Sequence, residues 1–96
     1  MKINVEIVGL PMISGIVGKK KLEVDIPGGT VKEVLDELTR RYGKKVGDGF
    51  CDPDGKFDLS IQTSLNGKSF IRVDEHRSPL IKEGDTVSFM LLVAGG

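Results

Sequence analysis

The stretch from Thr30 to Gly43 constrains the fold more than any other. Val31, Val34, Leu35, Leu38 and Tyr42 recur at the spacing of one helical stripe, and Lys32, Asp36, Glu37, Arg40 and Arg41 take the opposite side. Thr30, followed at the third helical position by Glu33, is a capping box that satisfies amide donors left open at a helix start. Gly43 is the natural C-cap, and Asp36 to Arg40 and Glu37 to Arg41 are charge pairs in the favourable order. A helix with one apolar stripe must bury it, and the remainder of the chain offers strands for that purpose.

Ile3, Val5 and Ile7 alternate with polar residues up to Gly9, and Leu22, Val24 and Ile26 repeat the pattern in Lys20–Ile26. Between them Leu10–Gly18 is punctuated by Pro, Ser and Gly and reads as a loop, so the two strands form a hairpin. Its apolar residues Met12, Ile13, Ile16 and Val17 either form an exposed tip for a partner or fold back and are buried; the second is the simpler reading. Pro27-Gly28-Gly29 turns the chain into the helix. Lys44–Asp58 has no sustained period and reads as a loop or a short distorted helix. Leu59–Leu65 is a strand with Ile61, Thr63 and Leu65 on one side, Asn66-Gly67 is a tight hairpin turn, and Ser69–Val73 returns. After the Gly84-Asp85 turn, Thr86–Val93 forms the last strand. Val87, Phe89 and Leu91 share its core face, which leaves Ser88, Met90 and Leu92 outward, and two large apolar residues there suit a protein docking surface.

Ninety-six residues make one domain, 1–96. Lys+Arg and Asp+Glu both number 14, so bulk charge gives no reason to expect nucleic acid as a partner. The single cysteine, Cys51, excludes an internal disulfide framework and a cysteine-ligated iron–sulfur cluster, and the single histidine, His76, argues against a structural zinc site. Cys51 with His76 is the one candidate nucleophile and base, without further local signature. Asp52, Asp54 and Asp58 lack the remaining ligands of a calcium loop, and a Pro-Asp-Gly turn accounts for them better. No apolar signal segment or bilayer-length stretch is present, so the expectation is a cytoplasmic protein with no membrane partner.

The chain closes on Met90-Leu-Leu-Val-Ala-Gly-Gly96, an apolar strand running into two glycines. Taken alone, this is either a frayed terminus or a thin reactive tip. Leu80-Ile81-Lys82-Glu83-Gly84-Asp85-Thr86-Val87-Ser88-Phe89 followed by Val93-Ala94-Gly95-Gly96 closely resembles the C-terminal signature of the MoaD/ThiS sulfur carriers, and within them MoaD, the small subunit of molybdopterin synthase. Leu65-Asn66-Gly67-Lys68 and Ile16-Val17-Gly18-Lys19-Lys20 are similar to that family as well.

The resemblance implies an α+β, ubiquitin-like β-grasp fold: a mixed sheet of about five strands with one main helix across it, and residues 93–96 as a flexible Gly-Gly tail. It also implies a carrier rather than an enzyme, with no bound cofactor. An E1-like adenylyltransferase would consume ATP to adenylate Gly96, and a sulfur donor would convert the adenylate to a thiocarboxylate. A MoaE-like large subunit of molybdopterin synthase would then receive the sulfur. Met90, Leu92, Val93 and Ala94 would grip these partners, Gly95 would thread the active site and Gly96 would react. Met90 stands where some relatives carry an aromatic, Leu91 and Leu92 replace prolines common before Val-Ala-Gly-Gly, and Leu10–Gly15 also departs from the family pattern. Three alternatives stay open: a modifier joined through Gly96 to target lysines, a ThiS-like carrier for the thiamine pathway, and a β-grasp binding module whose Gly-Gly is incidental.

Overall fold

The computed structural model describes residues 1–92. Its elements are β1 (Lys2–Val8), α1 (Pro11–Val17), β2 (Lys21–Asp25), α2 (Val31–Tyr42), α3 (Lys44–Gly49), β3 (Ile61–Leu65), β4 (Ser69–Ile71), a short 3-10 turn over Val73–Glu75, and β5 (Thr86–Leu91). The strands lie in the order β2-β1-β5-β3-β4. β1 and β5 run parallel, with Val5 opposite Val87 and Ile7 opposite Phe89, and every other pairing is antiparallel. This is the β-grasp arrangement expected from the sequence, with the first and last strands at its centre.

Alternation fixes which face is covered. Ile3, Val5, Ile7, Leu22, Val24, Ile61, Val87 and Phe89 point inward and are buried, and Val31, Val34 and Leu38 of α2 pack down on them. The α2 capping box is complete, with the Thr30 hydroxyl accepting from Glu33 N–H at 3.1 Å and the Glu33 carboxylate accepting from Thr30 N–H at 3.0 Å. On the solvent side Asp36 pairs with Lys32 at 2.9 Å, and Arg40 turns back to Glu37, so the expected Asp36–Arg40 pair is replaced by an i,i+3 bridge. Glu37 also meets Arg41, as the spacing predicts, at 3.5 Å.

Two sequence stretches that carry the family resemblance turn out to be one clasp. Asn66 and Gly67 both adopt positive φ, the geometry of the tightest hairpin turns. The Asn66 side chain donates to Asp85 Oδ1 at 3.0 Å and accepts from Thr86 N–H at 2.8 Å. The other Asp85 oxygen accepts from Lys82 N–H at 2.8 Å, closing the turn that launches β5. These donors, the Asn66 amide foremost, hold the Asp85 carboxyl below its ordinary range. The Leu-Asn-Gly-Lys and Gly-Asp-Thr-Val motifs therefore set the register of β5.

Leu10–Gly18 is not the loop its Pro, Ser and Gly suggest. Pro11 sits at the first helical turn, where its missing N–H costs nothing, and Ile13 and Val17, four apart, are buried on one side of α1. Met12 and Ile16 remain exposed, so the segment divides between the two readings of its apolar residues. Gly49 lets α1 approach α3, since a Cβ there would overlap Ile13. Lys44–Gly49 is the short helix allowed for, with Val46 and the following Phe50 in the core, Phe50 against Phe89 at 4.9 Å between ring centres. Val73 belongs to the 3-10 turn, and β5 stops at Leu91.

Candidate functional site

β5 is flanked by β1 along Thr86–Met90 and by β3 along Val87–Leu91, which holds the strand in place up to Leu91. Met90 pairs with Val8 of β1 and Gln62 of β3 on the outer face, and is 41% exposed. Leu92 is 51% exposed, with its N–H donating to Ser60 O at 2.8 Å. The outward placement of Met90 and Leu92 thus matches the sequence expectation. Val93, Ala94, Gly95 and Gly96 lie outside the described residues.

Leu91 is a correction. Alternation sends it to the inner face with Val87 and Phe89, but it is 36% exposed, because α1 and α3 leave an open groove over it rather than closing down on it as the core does on Val87 and Phe89. Sequence reasoning also missed two outer-face residues. Val8 breaks the polar sequence of outward positions in β1, a signal available in the chain itself, and stands directly beside Met90. Phe70, 67% exposed, pairs with Ser64 at the far edge, and only the observed register assigns it to this face. A shallow depression of about 460 Å³ runs from Met90 and Val8 past Ser88 and Ser64 to the Asn66-Gly67 turn. The outer face is thus apolar at the end where β5 finishes and polar behind it, where Glu6, Ser88 and Ser64 line the depression.

Cys51 and His76 line one cleft of about 440 Å³ between α2, α3 and the loop that follows, but the chemistry of a nucleophile is missing. Burial pushes the Cys51 thiol up, with Asp48 and Asp52 adding to the shift, and Sγ lies 3.4 Å from Gly47 O. Burial pushes His76 down, its ring meeting Phe57 edge-on at 4.6 Å, and Nε2 has no partner. Neither shift makes a thiolate at neutral pH. Asp52 Oδ1 accepts from the N–H groups of Asp54 and Lys56, at 2.9 and 3.0 Å, so it organises the Pro-Asp-Gly turn. Among the described residues no group of three or more His, Cys, Asp or Glu is placed to hold a metal, and no helix is long and apolar enough to cross a membrane.

The ThiS family model matches residues 13–96, nearly the whole chain and all of β5. The chain belongs to the ThiS family. Members of this family are small ubiquitin-like sulfur carrier proteins rather than catalysts. The fold of this ThiS-family protein is shared with SAMP1 from Haloferax volcanii, at TM-score 0.75 and 21% identity, over 100% of both chains. CysO from Mycobacterium tuberculosis matches at 0.71 and 22%, over 95% of this chain and 99% of its own. A chain of the Amycolatopsis orientalis BexX/CysO complex matches at 0.70 and 26%, over 98% and 99%. Comparison with curated proteins gives no match. For a ThiS-family chain, the clasp between Asn66 and Asp85 and the apolar end of the outer face are the features that precede the terminal glycines.

Proposed function

We propose that this protein is a sulfur carrier of the MoaD type, delivering sulfur for molybdopterin or tungstopterin synthesis from a thiocarboxylate at Gly96. The observation that carries the reading is the exposure of Met90 and Leu92 at the end of a central strand, shortly before the Val-Ala-Gly-Gly that closes the sequence. A partner can grip these side chains without disturbing the core. Family membership through residue 96 supports the assignment of the terminal glycines, and the Leu80–Phe89 run and the length of Lys44–Asp58 support the MoaD branch over a thiamine-pathway carrier.

The chemistry asks little of the carrier beyond position. A terminal carboxylate, with a reference pKa of about 3.5, is ionised at neutral pH and attacks the α-phosphate of ATP without a base. Pyrophosphate leaves, and the acyl adenylate then has a good leaving group in AMP. Sulfide-level sulfur from the donor replaces AMP, giving a thiocarboxylate whose sulfur attacks an electrophilic carbon of the acceptor; water then cleaves the acyl–sulfur bond, leaving the sulfur on the acceptor and returning the Gly96 carboxylate. ATP is held and spent by the E1-like adenylyltransferase, and the carrier itself binds no cofactor. Gly95 and Gly96 lack side chains, so the tip can enter a narrow site in whatever backbone conformation it requires. Val93 and Ala94 join Leu92 to the two glycines in the sequence and would be gripped with them, and a MoaE-like large subunit takes the sulfur. All of these steps belong in the cytoplasm.

A second reading is favoured by the likeness to SAMP1, the small archaeal modifier protein 1: Gly96 joined to a target lysine. Both readings begin with the same adenylate. The protein is incubated with an E1-like enzyme, ATP and a sulfur donor, and its intact mass is measured. Replacement of one oxygen by sulfur at Gly96 is the expected result. Lysine-linked conjugates without a thiocarboxylate would support the modifier, and the absence of any adenylate, with function unchanged on deleting Gly95 and Gly96, would leave only a binding module.

A further inference from the structure

The end of β5 has a second apolar side. A groove of about 150 Å³ lies on the inner face between Leu91, the start of α1 and the end of α3, with Leu10, Met12 and Leu91 as its walls. Two glycines keep it open. Gly9, at φ +69, brings the β1 end alongside Leu91, where its missing Cβ would stand 3.6 Å from the Leu91 Cβ. Gly49 lies under Met12 and Ile13. No charged or hydroxyl side chain lines the groove, and Met12 is 60% exposed although its neighbour Ile13 is buried in the core. An exposed, flexible thioether over an apolar slot is a surface that adapts to an incoming side chain.

We propose that this groove is the inner half of the surface by which the ATP-dependent activating enzyme holds the protein, taking one aliphatic or aromatic side chain from the rim of that enzyme's active-site mouth. The inference rests on the reading in which Gly96 reacts. Chain length supplies the argument. Residues 93–96 follow Leu92, and extended they reach roughly 13 Å at about 3.3 Å each. An active site that encloses Gly96 therefore sets its mouth against the end of β5 itself. Strand alternation sends Met90 and Leu92 to one face and Leu91 to the other, so a mouth that surrounds the chain meets both faces. Met90 on the outer face, Leu91 in the inner groove and the following Leu92 are consecutive and all exposed, so the two apolar sides meet at the end of β5. An apolar side chain is what the groove accepts, since a charged one would lose its water there without gaining a partner.

The test is ATP–pyrophosphate exchange with the E1-like enzyme of the same organism, titrating the carrier. Met12→Asp is expected to raise the KM for carrier about tenfold with kcat retained, as for a truncated contact at the centre of an interface. Ile16→Asp is the control, on the same helix but outside the groove, and is expected to leave KM unchanged. A Met12→Asp KM within twofold of the unsubstituted protein, or an equal rise in Ile16→Asp, overturns the proposal while leaving Gly96 as the reacting group. The Met12 methyl resonance of the isolated protein excludes other occupants. A shift on deleting residues 93–96 assigns the groove to the chain's own tail, and a concentration-dependent shift assigns it to a second copy; either overturns the proposal. If the unsubstituted protein supports no exchange at all, the Gly96 reading fails and the inference goes with it.

Discussion

Replacing Gly29 by alanine should destabilise the fold through two separable effects. Gly29 has φ +78, and its carbonyl accepts from Ile81 N–H at 2.9 Å, which ties the segment before β5 to the entrance of α2. A left-handed backbone costs an L-residue about 1–2 kcal/mol. A Cβ would in addition stand well inside contact with the Ile81 carbonyl oxygen, which is backbone and has no side-chain rotation with which to escape. Overpacking of that kind adds about 1–3 kcal/mol. The sum, roughly 3 kcal/mol, corresponds to a fall in Tm of about 12–24 °C in a domain of this size. Gly55→Ala separates the two effects, since Gly55 has φ +80 and nothing within 4 Å of its would-be Cβ. It should show the backbone cost alone. Thermal unfolding followed by circular dichroism gives both values, and a Gly29→Ala protein no less stable than Gly55→Ala would refute the contact argument.

The Thr63 hydroxyl is buried without a partner on the inner face of β3, so Thr63→Val, nearly the same shape, should stabilise by about 1 kcal/mol in urea titration; a loss would mean that the hydroxyl is satisfied in solution. His76 is pushed down by burial, so the folded state takes up its proton less readily than the unfolded chain. Its contribution to stability is complete above the unfolded pKa of about 6.5 and is lost as pH falls through the window toward the depressed folded value. Between pH 7 and pH 5.5 the unsubstituted protein should therefore lose more stability than His76→Leu, and equal losses would show that His76 does not sense that range. Met90→Asp should leave Tm within a few degrees, because the side chain is already at the surface, and weaken binding to the activating enzyme at least tenfold by calorimetry.

Helix α2 was legible because every signal agreed: stripe, capping box and charges specify the same dozen residues. The strands were legible from alternation, and the central, parallel β1–β5 pairing followed from family resemblance, since pattern assigns faces but not neighbours. α1 was hidden because its stability comes from burying Ile13 and Val17 against the body, which overrides the poor helix propensities of Gly15 and the residues around it. The exposure of Leu91 was hidden for a related reason. Period predicts which way a side chain points, but how far the helices extend over it depends on where α1 and α3 come to rest. Phe70 needed the β3–β4 register before it could be assigned to a surface. Cys51 and His76 were paired only because each is single of its kind; both line one cleft, and burial, which pushes the thiol up, leaves no nucleophile there.

The parallel pairing of β1 and β5 has a mechanical meaning. A force applied beyond Leu92, as when an enzyme draws the chain end inward, acts along β5, and the strands on both sides oppose it across ladders that lie crosswise to the pull. Bonds loaded in this way share the strain and yield together, whereas a strand peeled from an edge gives them up one at a time. β5 is the interior strand farthest from such peeling, and the turn behind it is pinned by Asn66 and Asp85. Under the proposed function this fold would serve as an anchored tether: the body recognised by a partner would keep its shape while load is applied beyond Leu92.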